Sequence, residues 1–521
     1  MHVKKGRKMK ETKNVVLKIL ESVEKYPDKL AIVEKTKKGY KEVTYQEFWN
    51  DVVLTSQFFS ARGVKKGDRV LVFIPMSYEL YKIVFGLFYI GAVVVFMDAW
   101  VTKKRLSLAC NITKPGVFIG TKKAYYYSKL FFKDIRKIPL KIIDKNIPSI
   151  KDMAAVDTID FSPVEVAYDD EALVAFTTGS TGNPKAGNRT HGFLWEQHVA
   201  LEKHLKPVEN EVDLTTFPLF VLTHLASGIT SVIPDFNPAK PAEINPVSII
   251  EQMNRYKVTQ SGGSPAFYEK LADYLIKNPK TEITLKKLFI GGAPVFPPLA
   301  KKLTQAFKNT FVEVVYGSTE SEPISAVDVE KIAESNVLEG VLVGKPVSYI
   351  QVKIIKPVSG ALEIDSKKSL KEYEVKKGEV GEIIVTGDHV LKKYLNSPAA
   401  FKENKIVEKD KIWHRTGDAG KIDEKGNILL FGRIKNRFVS DKGVLYSLNI
   451  EQKLLEMKEI QFAGAIGIGD KFYVVVELNT QTKISNDTIL KNAKMSLTDF
   501  PIDEIKILKK IPRDPRHHSK V

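Results

Sequence analysis

The stretch VAFTTGSTGNPKAGNRTH, residues 174–191, joins an apolar strand to a loop of glycines and hydroxyl residues. The loop begins with Thr177, Thr178, Gly179, Ser180, Thr181 and Gly182. Glycines allow successive backbone N–H groups to point at one anion, hydroxyl groups add donors, and Lys185 adds a positive charge. The pattern is typical of a polyphosphate site, although a surface turn rich in glycine, serine and threonine has the same composition.

The loop differs from the common P-loop, in which a Gly-Lys-Ser/Thr triplet enters a helix. Here Lys185 follows Asn183 and Pro184. Because proline restricts the backbone, the chain leaves the loop along a stiffened path.

The composition is that of a globular protein from a reducing compartment. The chain has 521 residues, enough for two or more domains, and 43% of them are hydrophobic. Cys110 is the single cysteine, so neither a disulfide framework nor a cysteine metal site can form, and we expect a cytoplasmic location. The basic N-terminal residues are not followed by an uninterrupted apolar segment, and the apolar stretch 83–97 is too short to cross a bilayer.

A net charge of +18 attracts anions such as nucleic acid, acidic membrane surfaces, nucleotides or coenzymes, although a solvated lysine-rich surface that indicates no particular partner is the alternative. The lysines are distributed along the whole chain and are not grouped with aromatic residues in a nucleic-acid-binding module. We therefore expect no nucleic-acid partner and no transmembrane segment, while peripheral contact with a membrane and the oligomeric state stay open.

Helices and strands alternate in the first part of the chain. Thr44, with Glu47 three residues later, has the capping-box pattern that begins a helix, and Gly63 stands where a C-terminal cap is expected. The strand DRVLVFIP, residues 68–75, follows, and then a buried helix and strand that end near Met97. This alternation predicts an α/β fold with mostly parallel sheets covered by helices.

The alternation returns with the strand LKKLFIGGAP at residues 285–294, a helix, and the strand FVEVVYGSTE at residues 311–320. Leu299, Leu303 and Phe307 are spaced to lie on one face of that helix. The polar loops Gly291–Pro294 and Tyr316–Glu320 are expected at the C-terminal ends of parallel strands, where ligands bind in open α/β sheets.

The sequence pattern changes at about Gly378, where short apolar segments separated by glycine turns predict a β-rich subdomain. A small mixed segment follows Gly432–Arg433. We predict a large N-terminal domain at residues 1–434 and a small, mobile α+β domain at residues 435–521.

Five segments resemble, in order and spacing, the signatures of adenylate-forming enzymes, the superfamily of acyl-CoA synthetases, peptide-synthetase adenylation domains and luciferases. The segments are the glycine-rich loop with Thr190–His191 after it, Gly291–Pro294, Tyr316–Glu320, His414–Asp418 and Gly432–Lys435. The resemblance covers nearly the whole chain, with one departure at Ala186, where the family usually has glycine.

The resemblance implies a site for ATP, with Mg²⁺, and assigns residues to the nucleoside. Gly292, Ala293 and Pro294 would flank the adenine, and Tyr316, next to Gly317, would stack on it. Asp418 would hold the ribose hydroxyls, and Arg433 would contact ribose or phosphate. Lys435 occupies the position of the hinge between the two domains.

The resemblance also implies the catalytic residues Lys185, Thr319, Glu320 and Lys520. Lys185 would hold the leaving pyrophosphate, Thr319 would lie near the α-phosphate, and Glu320, with Thr181, would hold Mg²⁺. Lys520 would bridge the substrate carboxylate and the α-phosphate, although a frayed terminal residue is the alternative. Cations are needed because attack of a carboxylate on the α-phosphate brings two anions together.

The tail IPRDPRHHSKV, residues 511–521, and the segment 217–246 resemble the OleC-type β-lactone synthetases of bacterial olefin biosynthesis, which are similar to fatty acyl-CoA synthetases. The implied substrate is a fatty acid or a 3-hydroxy fatty acid, which is adenylated with release of pyrophosphate. The acyl group would then pass to CoA, or the 3-hydroxyl group would close a β-lactone. A catalytically inactive nucleotide- or acyl-binding homologue is the alternative.

His224 and Gly263 are candidates for the acyl pocket. For His224 an ordinary loop histidine is the alternative. Arg516, His517 and His518, next to Lys520, could assist ring closure, or they could be surface residues of a basic tail.

Overall fold

The computed structural model describes residues 14–97, 102–149, 162–178, 184–336, 339–364, 369–440, 443–468, 471–479 and 482–512. The chain divides into two compact units. The first unit comprises Met1–Asp213, Pro218–Ile233 and Leu391–Pro398, and the second comprises Leu214–Phe217, Pro234–Val390 and Ala399–Val521.

Helices and strands alternate through the first unit, as its sequence predicts. They are α1 (Leu17–Lys25), β1 (Leu30–Thr36), β2 (Gly39–Thr44), α2 (Tyr45–Ala61), β3 (Arg69–Phe73), α3 (Tyr78–Tyr89), β4 (Val93–Phe96), α4 (Lys103–Thr113), β5 (Val117–Gly120), α5 (Lys122–Phe131), α6 (Lys133–Arg136), β6 (Leu140–Ile143), β7 (Glu171–Thr178), β8 (Pro184–Thr190), α7 (His191–Leu205), β9 (Val212–Thr215), α8 (Pro218–Ala226) and β10 (Thr230–Ile233).

A six-stranded sheet organises this unit, in the order β6-β5-β3-β4-β7-β8. All neighbouring strands are parallel except β7 and β8, which are antiparallel. Apolar side chains of the strands and of α4, among them Leu71, Phe118 and Leu106, form a buried cluster against the sheet. Strand β10 pairs in parallel with β9 and β1, and β1 pairs antiparallel with β2.

The local signals in this unit are confirmed. Thr44 Oγ1 accepts a hydrogen bond from Glu47 N at 3.2 Å, and Glu47 Oε2 accepts one from Thr44 N at 3.0 Å, so the capping box is complete at the start of α2. Gly63 has φ +81° just after α2 ends, a conformation that favours glycine.

The second unit continues the alternation and then becomes richer in strands. Its elements are α9 (Pro246–Arg255), β11 (Gln260–Gly263), α10 (Pro265–Lys277), β12 (Lys287–Gly291), α11 (Pro297–Ala306), β13 (Phe311–Ser318), β14 (Ser321–Asp328), α12 (Val329–Ala333), β15 (Val341–Pro346), β16 (Gln351–Ile355), β17 (Gly381–Thr386), α13 (Pro398–Asn404), β18 (Lys405–Glu408), β19 (Lys411–Ile422), β20 (Ile428–Arg433), β21 (Phe438–Ser440), β22 (Gly443–Leu445), α14 (Ser447–Leu454), β23 (Ile460–Ile468), β24 (Lys471–Leu478), α15 (Asn486–Ser496) and β25 (Glu504–Ile507).

Strands β11, β12 and β13 are parallel neighbours, so the predicted strand–helix–strand unit is confirmed. The face of α11 is rotated slightly from the prediction, because Ala300 and Leu303 are fully buried whereas Leu299 is only partly buried. Beyond β13 the sheet continues as β14-β15-β20-β19-β17-β16, and these neighbours are antiparallel. Strands β17, β19 and β20 lie in the predicted β-rich part of the chain, but the strand-rich region begins earlier than the predicted Gly378, with β14 at Ser321.

The C-terminal elements have a core of their own. Strands β23 and β24 are antiparallel, β24 and β25 are parallel, and Ile450, Phe472 and Ile489 from a helix, a strand and a second helix are fully buried among them. This composition matches the predicted α+β character. The boundary near Lys435 and the mobility of the segment remain predictions.

Candidate active site

The glycine-rich loop falls, in the sequence, between β7 and β8 of the first unit. Its residues Gly179, Ser180, Thr181 and Gly182 lie outside the described residues, and only the backbone of Thr177 and Thr178 is described. Strands β7 and β8 flank the loop, with Thr178 paired with Pro184 and Thr177 paired with Lys185. The chain therefore leaves the loop as a strand and not as a helix, which confirms the predicted difference from a P-loop.

Lys185 is the second residue of β8, and it is only 6% exposed. The next residue, Ala186, is fully buried, and its carbonyl accepts a hydrogen bond from Leu395 N at 2.8 Å. Burial of a cation is costly unless the cation meets anionic or polar groups. The role of Lys185 toward phosphate remains a prediction.

Thr190 and His191 mark the end of the hairpin and the start of α7. Thr190 Oγ1 accepts a hydrogen bond from Phe193 N at 3.0 Å and caps the helix. His191 is fully buried, its Nδ1 accepts a hydrogen bond from Val15 N, and burial lowers the pKa of its imidazole to about 4. The ring is consequently neutral at physiological pH.

His224 lies in the last turn of α8, so it is not a loop histidine. Its side chain is 2% exposed, and its Nδ1 lies 3.1 Å from Oδ2 of Asp213, which is equally buried. The Asp213 carboxylate is thus within ion-pairing distance of the imidazole. Whether the other nitrogen serves an acyl pocket remains a prediction.

In the second unit, the predicted adenine loop follows β12. Gly292 has φ +87°, and because L-residues rarely adopt this conformation, glycine suits the turn. Ala293 and Pro294 come next and are partly exposed. The turn lies at the C-terminal end of a parallel strand, which is the sheet edge where ligands bind in α/β folds.

The segment Tyr316–Glu320 is mostly strand, so its prediction as a loop is wrong. Strand β13 extends to Ser318, and only Thr319 and Glu320 form the turn into β14. Gly317 permits this tight hairpin, because a Cβ there would lie 2.9 Å from the carbonyl oxygen of Ser321.

Tyr316, Asp418 and Arg433, from three different strands, form one cluster. The Tyr316 hydroxyl donates a hydrogen bond to Asp418 Oδ2 at 2.8 Å, and Arg433 Nη1 lies 3.1 Å from Asp418 Oδ1. Asp418 and Arg433 are direct register partners of β19 and β20. The structure thus brings together three of the residues predicted to bind the nucleoside.

The cluster is electrostatically coupled and partly open. Burial and the Asp418 carboxylate raise the pKa of Tyr316 well above its ordinary value, so its phenol stays protonated and can donate. The same carboxylate raises the pKa of Arg433, with a smaller contribution from Glu320. Asp418 is 19% exposed and Arg433 44% exposed, so both side chains reach solvent.

The backbone before Asp418 is fixed by Thr416. Its hydroxyl donates to the carbonyl of Ile383 at 2.8 Å and accepts from Asp418 N at 3.1 Å. Gly417 between them has φ +72°, which favours glycine. Arg433 Nη1 also donates to the carbonyl of Thr416 at 3.1 Å, so the turn and the cluster support each other.

Sequence reasoning missed the role of Arg415, next to this turn. Its Nη2 lies 2.6 Å from Glu382 Oε2, donates to the carbonyl of Val358 at 2.7 Å, and its Nε also contacts the same carboxylate. Both side chains are buried. No local signal joins Glu382 to Arg415, because the two strands that carry them pair only in the folded sheet.

Two further predicted residues lie elsewhere in the second unit. Lys435 is exposed in the short 3₁₀ turn Ile434–Asn436 that follows β20. Gly263 ends β11, and a Cβ there would stand 2.6 Å from Thr216 Oγ1, so no side chain fits without a shift. Lys520, with Arg516, His517 and His518, lies outside the described residues.

Glu320 is the predicted magnesium ligand and is 9% exposed at the turn after β13. Within the described ranges, no three histidine, cysteine, aspartate or glutamate side chains are grouped to hold a metal ion. Magnesium in nucleotide sites is bound by one or two carboxylates together with phosphate oxygens. The Glu320 carboxylate therefore has the chemistry that a nucleotide-bound magnesium ion requires, and its role as a ligand remains a prediction.

Comparison with known proteins gives a consistent result. The AMP-binding enzyme family matches residues 19–395. An olefin β-lactone synthetase of Xanthomonas campestris pv. campestris is 30% identical over 430 residues, which cover 78% of this chain and 74% of that enzyme. An acyl-CoA ligase of Ajellomyces capsulatus is 26% identical over 460 residues, covering 82% of this chain and 74% of that enzyme.

Among solved structures, the O-succinylbenzoate coenzyme A synthetase of Bacillus subtilis, in complex with ATP and magnesium ion, has a similar fold. Its TM-score is 0.78 at 20% identity, over 96% of this chain and 97% of that chain. This likeness confirms the α/β fold class. Within the described part of the chain, no helix is both long and apolar enough to cross a membrane.

Proposed function

The chain belongs to the AMP-binding enzyme family, and we propose that it activates a fatty acid or a 3-hydroxy fatty acid with ATP. The observation that carries this proposal is the cluster of Tyr316, Asp418 and Arg433, in which residues from three strands meet at one partly open position. The acid is the finer part of the proposal, and it rests on the similarity to a β-lactone synthetase and an acyl-CoA ligase.

The cluster suits a nucleoside. Asp418 accepts from Tyr316 and pairs with Arg433 through different oxygens, and a carboxylate has further lone pairs for the ribose hydroxyls. The neutral Tyr316 ring offers an apolar face for a base, and Arg433 offers additional donors for ribose or phosphate oxygens. The turn at Gly292, Ala293 and Pro294 would close the adenine side.

The phosphates would be held by the glycine-rich loop and by Lys185. In the reaction, a carboxylate oxygen of the acid attacks the α-phosphorus, the bond to the β-phosphate oxygen breaks, and pyrophosphate leaves with the negative charge. Lys185 would bind that leaving group, Thr319 would lie near the α-phosphate, and Lys520 would neutralise the two anions as they meet. Magnesium, held by Glu320 and Thr181 with phosphate oxygens, would supply further charge neutralisation.

Lys520 must enter and leave the site if a second step follows. We propose that residues 435–521 form the small domain that moves, with Lys435 at the hinge. The separate core around Ile450, Phe472 and Ile489 supports this division, as does the exposed single turn that carries Lys435.

Two fates of the acyl-adenylate are open. The thiol of CoA can attack the carbonyl carbon and release AMP, which yields a thioester. Alternatively the 3-hydroxyl of the substrate attacks the same carbon, loses its proton and releases AMP, which yields a β-lactone. The greater identity to an olefin β-lactone synthetase favours the second fate for a 3-hydroxy acid.

The test combines the full-length chain with ATP, Mg²⁺ and a long-chain 3-hydroxy acid, with and without CoA. AMP and pyrophosphate are followed, and the acyl product is weighed by mass spectrometry. We expect AMP, pyrophosphate and a product one water lighter than the acid when CoA is absent. A thioester formed only with CoA would identify an acyl-CoA ligase, and ATP binding without turnover on any acid would contradict the proposal.

A variant pair tests Lys520. Lys520→Ala should abolish pyrophosphate release while ATP binding is retained, because the residue acts on the meeting anions and not on the nucleoside. Lys510→Ala, an equal charge change at an exposed position just before that tail, is the control and should remain active. Unchanged pyrophosphate release by Lys520→Ala would remove Lys520 from the mechanism.

A further inference from the structure

Helix α5 of the first unit turns an apolar face to solvent. Tyr126, Tyr127, Leu130 and Phe131 are 53%, 53%, 73% and 51% exposed. These positions recur with a spacing of four residues, so they lie on one side of the helix. An ordinary surface helix places its polar residues on that side.

The orientation of α5 is fixed by its other side. Ser128 is buried, and its hydroxyl donates to the carbonyl of Tyr125 at 2.7 Å. Tyr125 and Phe132 pack on the buried cluster of the six-stranded sheet. Thr121 caps the helix by accepting a hydrogen bond from Ala124 N. The helix therefore cannot turn its exposed side chains inward without giving up this packing.

The exposed side chains form a continuous surface. The rings of Tyr127 and Phe131 have centroids 4.5 Å apart and are inclined by 39°. Leu130 is next to them on the same side. Contiguous apolar surface of this kind marks a site of interaction with a protein or a membrane.

Charge selects between those partners. Residues 122–137 contain six lysines and arginines against one aspartate, Asp134. Lys122 and Lys123 precede the aromatic residues, Lys133, Arg136 and Lys137 follow them, and all five are exposed. Basic residues beside exposed tyrosine, phenylalanine and leucine match an anionic lipid surface, where aromatic rings occupy the headgroup level and cations meet the phosphates.

We infer that the surface formed by α5 and α6 docks on an anionic phospholipid bilayer. A ten-residue helix is only about 15 Å long, so it lies along the surface and does not span it. The inference rests on the exposed surface alone and stands whether or not the proposed reaction is correct.

The test is flotation of the full-length chain with vesicles of phosphatidylcholine alone or mixed with phosphatidylglycerol. We expect the chain to float with the mixed vesicles at low salt, and to stay behind with phosphatidylcholine alone. High salt should weaken the binding, because it screens the attraction between lysines and lipid phosphates. Lys122→Gln and Lys123→Gln should each weaken it about fivefold.

A matched pair of variants isolates the apolar contribution. The double variant Leu130→Ser with Phe131→Ser should bind the mixed vesicles at least about tenfold more weakly, since two large apolar side chains no longer enter the lipid. The control combines Met495→Ser, at 64% exposure on α15, with Phe311→Ser, at 50% exposure on β13. This control loses similar exposed side chains elsewhere and should bind as the unchanged chain does.

Three results would overturn the inference. The first is no flotation of the unchanged chain with the mixed vesicles. The second is equal binding by the Leu130/Phe131 variant and its control. The third is a concentration-dependent dimer in sedimentation velocity that this variant abolishes, with no vesicle binding, which would assign the surface to a second copy of the chain.

Discussion

Strand β19 contributes one residue to each of two arginine–carboxylate ion pairs, Arg415 to the first and Asp418, three residues later, to the second. The two pairs have the same chemistry but differ in their exposure to solvent. The pair of Arg415 and Glu382 is closed from water, at 8% and 3% exposure, and backbone carbonyls take the remaining guanidinium donors. The pair of Arg433 and Asp418 is 44% and 19% exposed, and Asp418 also accepts from Tyr316. The hydrogen-bonding groups of the first pair are satisfied within the fold, while the second pair has carboxylate lone pairs and guanidinium donors available to a ligand.

The difference in exposure suggests that the buried pair stabilises the fold and the exposed pair binds a ligand. A buried charge that loses its partner destabilises the fold, whereas an exposed pair contributes little to stability. We therefore expect substitutions at the first pair to affect unfolding and substitutions at the second pair to affect turnover. Each prediction below tests one side of that division.

The largest effect is expected at the closed pair. Glu382→Gln leaves the Arg415 guanidinium buried without its counter-charge, which should lower the free energy of unfolding by about 3 to 5 kcal/mol. Urea unfolding measures this change. Glu424→Gln, an equal charge change at an exposed turn position, should leave the unfolding midpoint unchanged. A loss of less than about 1 kcal/mol, as at a surface pair, would erase the contrast between the pairs.

The next effect is on turnover at the open pair. In the proposed site the ribose hydroxyls donate two hydrogen bonds to the Asp418 carboxylate. Asp418→Ala would remove both, each worth about 1.5 kcal/mol, so kcat/KM for ATP should fall about 100-fold. Steady-state release of pyrophosphate measures it. Asp410→Ala, at the exposed turn before β19, is the control. If the Asp418 variant unfolds far more easily but keeps its kcat/KM, the open pair serves the fold and the assignment is wrong.

Two buried histidines in the first unit should make the stability of the fold depend on pH. Burial lowers the pKa of His191 and of His198 to about 4, from an ordinary value of 6.5. As the pH falls, the two imidazoles bind protons in the unfolded chain before they do so in the folded chain. Protonation therefore favours unfolding: the fold has its full stability above pH 6.5 and loses stability as the pH falls toward 4. At pH 5 each histidine should reduce the unfolding free energy by about 2 kcal/mol relative to pH 7.5.

Urea unfolding at the two pH values measures this loss. His198→Gln should remove about half of the pH dependence that the two histidines create, because glutamine does not titrate. An unchanged pH dependence in that variant would show that His198 is as accessible to protons in the folded chain as in the unfolded chain.

A smaller effect is expected from Tyr316→Phe. The ring remains available to stack on a base, but the hydrogen bond to Asp418 is lost, and such a bond contributes about 1 kcal/mol. We expect kcat/KM for ATP to fall about fivefold, with a loss of stability of no more than about 1 kcal/mol. A variant with full activity would mean that Asp418 is positioned by Thr416 and Arg433 alone.

Much of the fold could be predicted from the sequence because its signals are local. The capping box at Thr44 and the strand–helix–strand unit before Tyr316 depend on residues a few positions apart. The partners Glu382 and Arg415 could not be predicted in this way, since their contact requires the strand order of the sheet. The exposure of the apolar face of α5 could not be predicted either, because periodicity indicates that a helix has an apolar face but not whether another element covers that face.

The candidate site was predicted differently from the fold. Asp418 and Arg433 were identified by resemblance to a family, and no physical rule applied to the sequence joins Tyr316 to Asp418 across 102 residues. What resemblance cannot supply is how each position is held. The register of β19 with β20 and the left-handed turn at Gly417 are properties of the folded sheet.

The smallest effect, and the sharpest comparison, is the coupling energy within each pair. A double-mutant cycle on the free energy of unfolding, with Asp418→Ala and Arg433→Ala, should give less than about 1 kcal/mol, because solvent screens the exposed guanidinium. That coupling should decrease further with added salt. The same cycle with Glu382→Ala and Arg415→Ala should give several times more and should respond little to salt, because buried charges are screened less. Equal coupling energies would mean that the exposed pair stabilises the fold as much as the buried pair does. Asp418 would then be a structural residue and not a ligand-binding one.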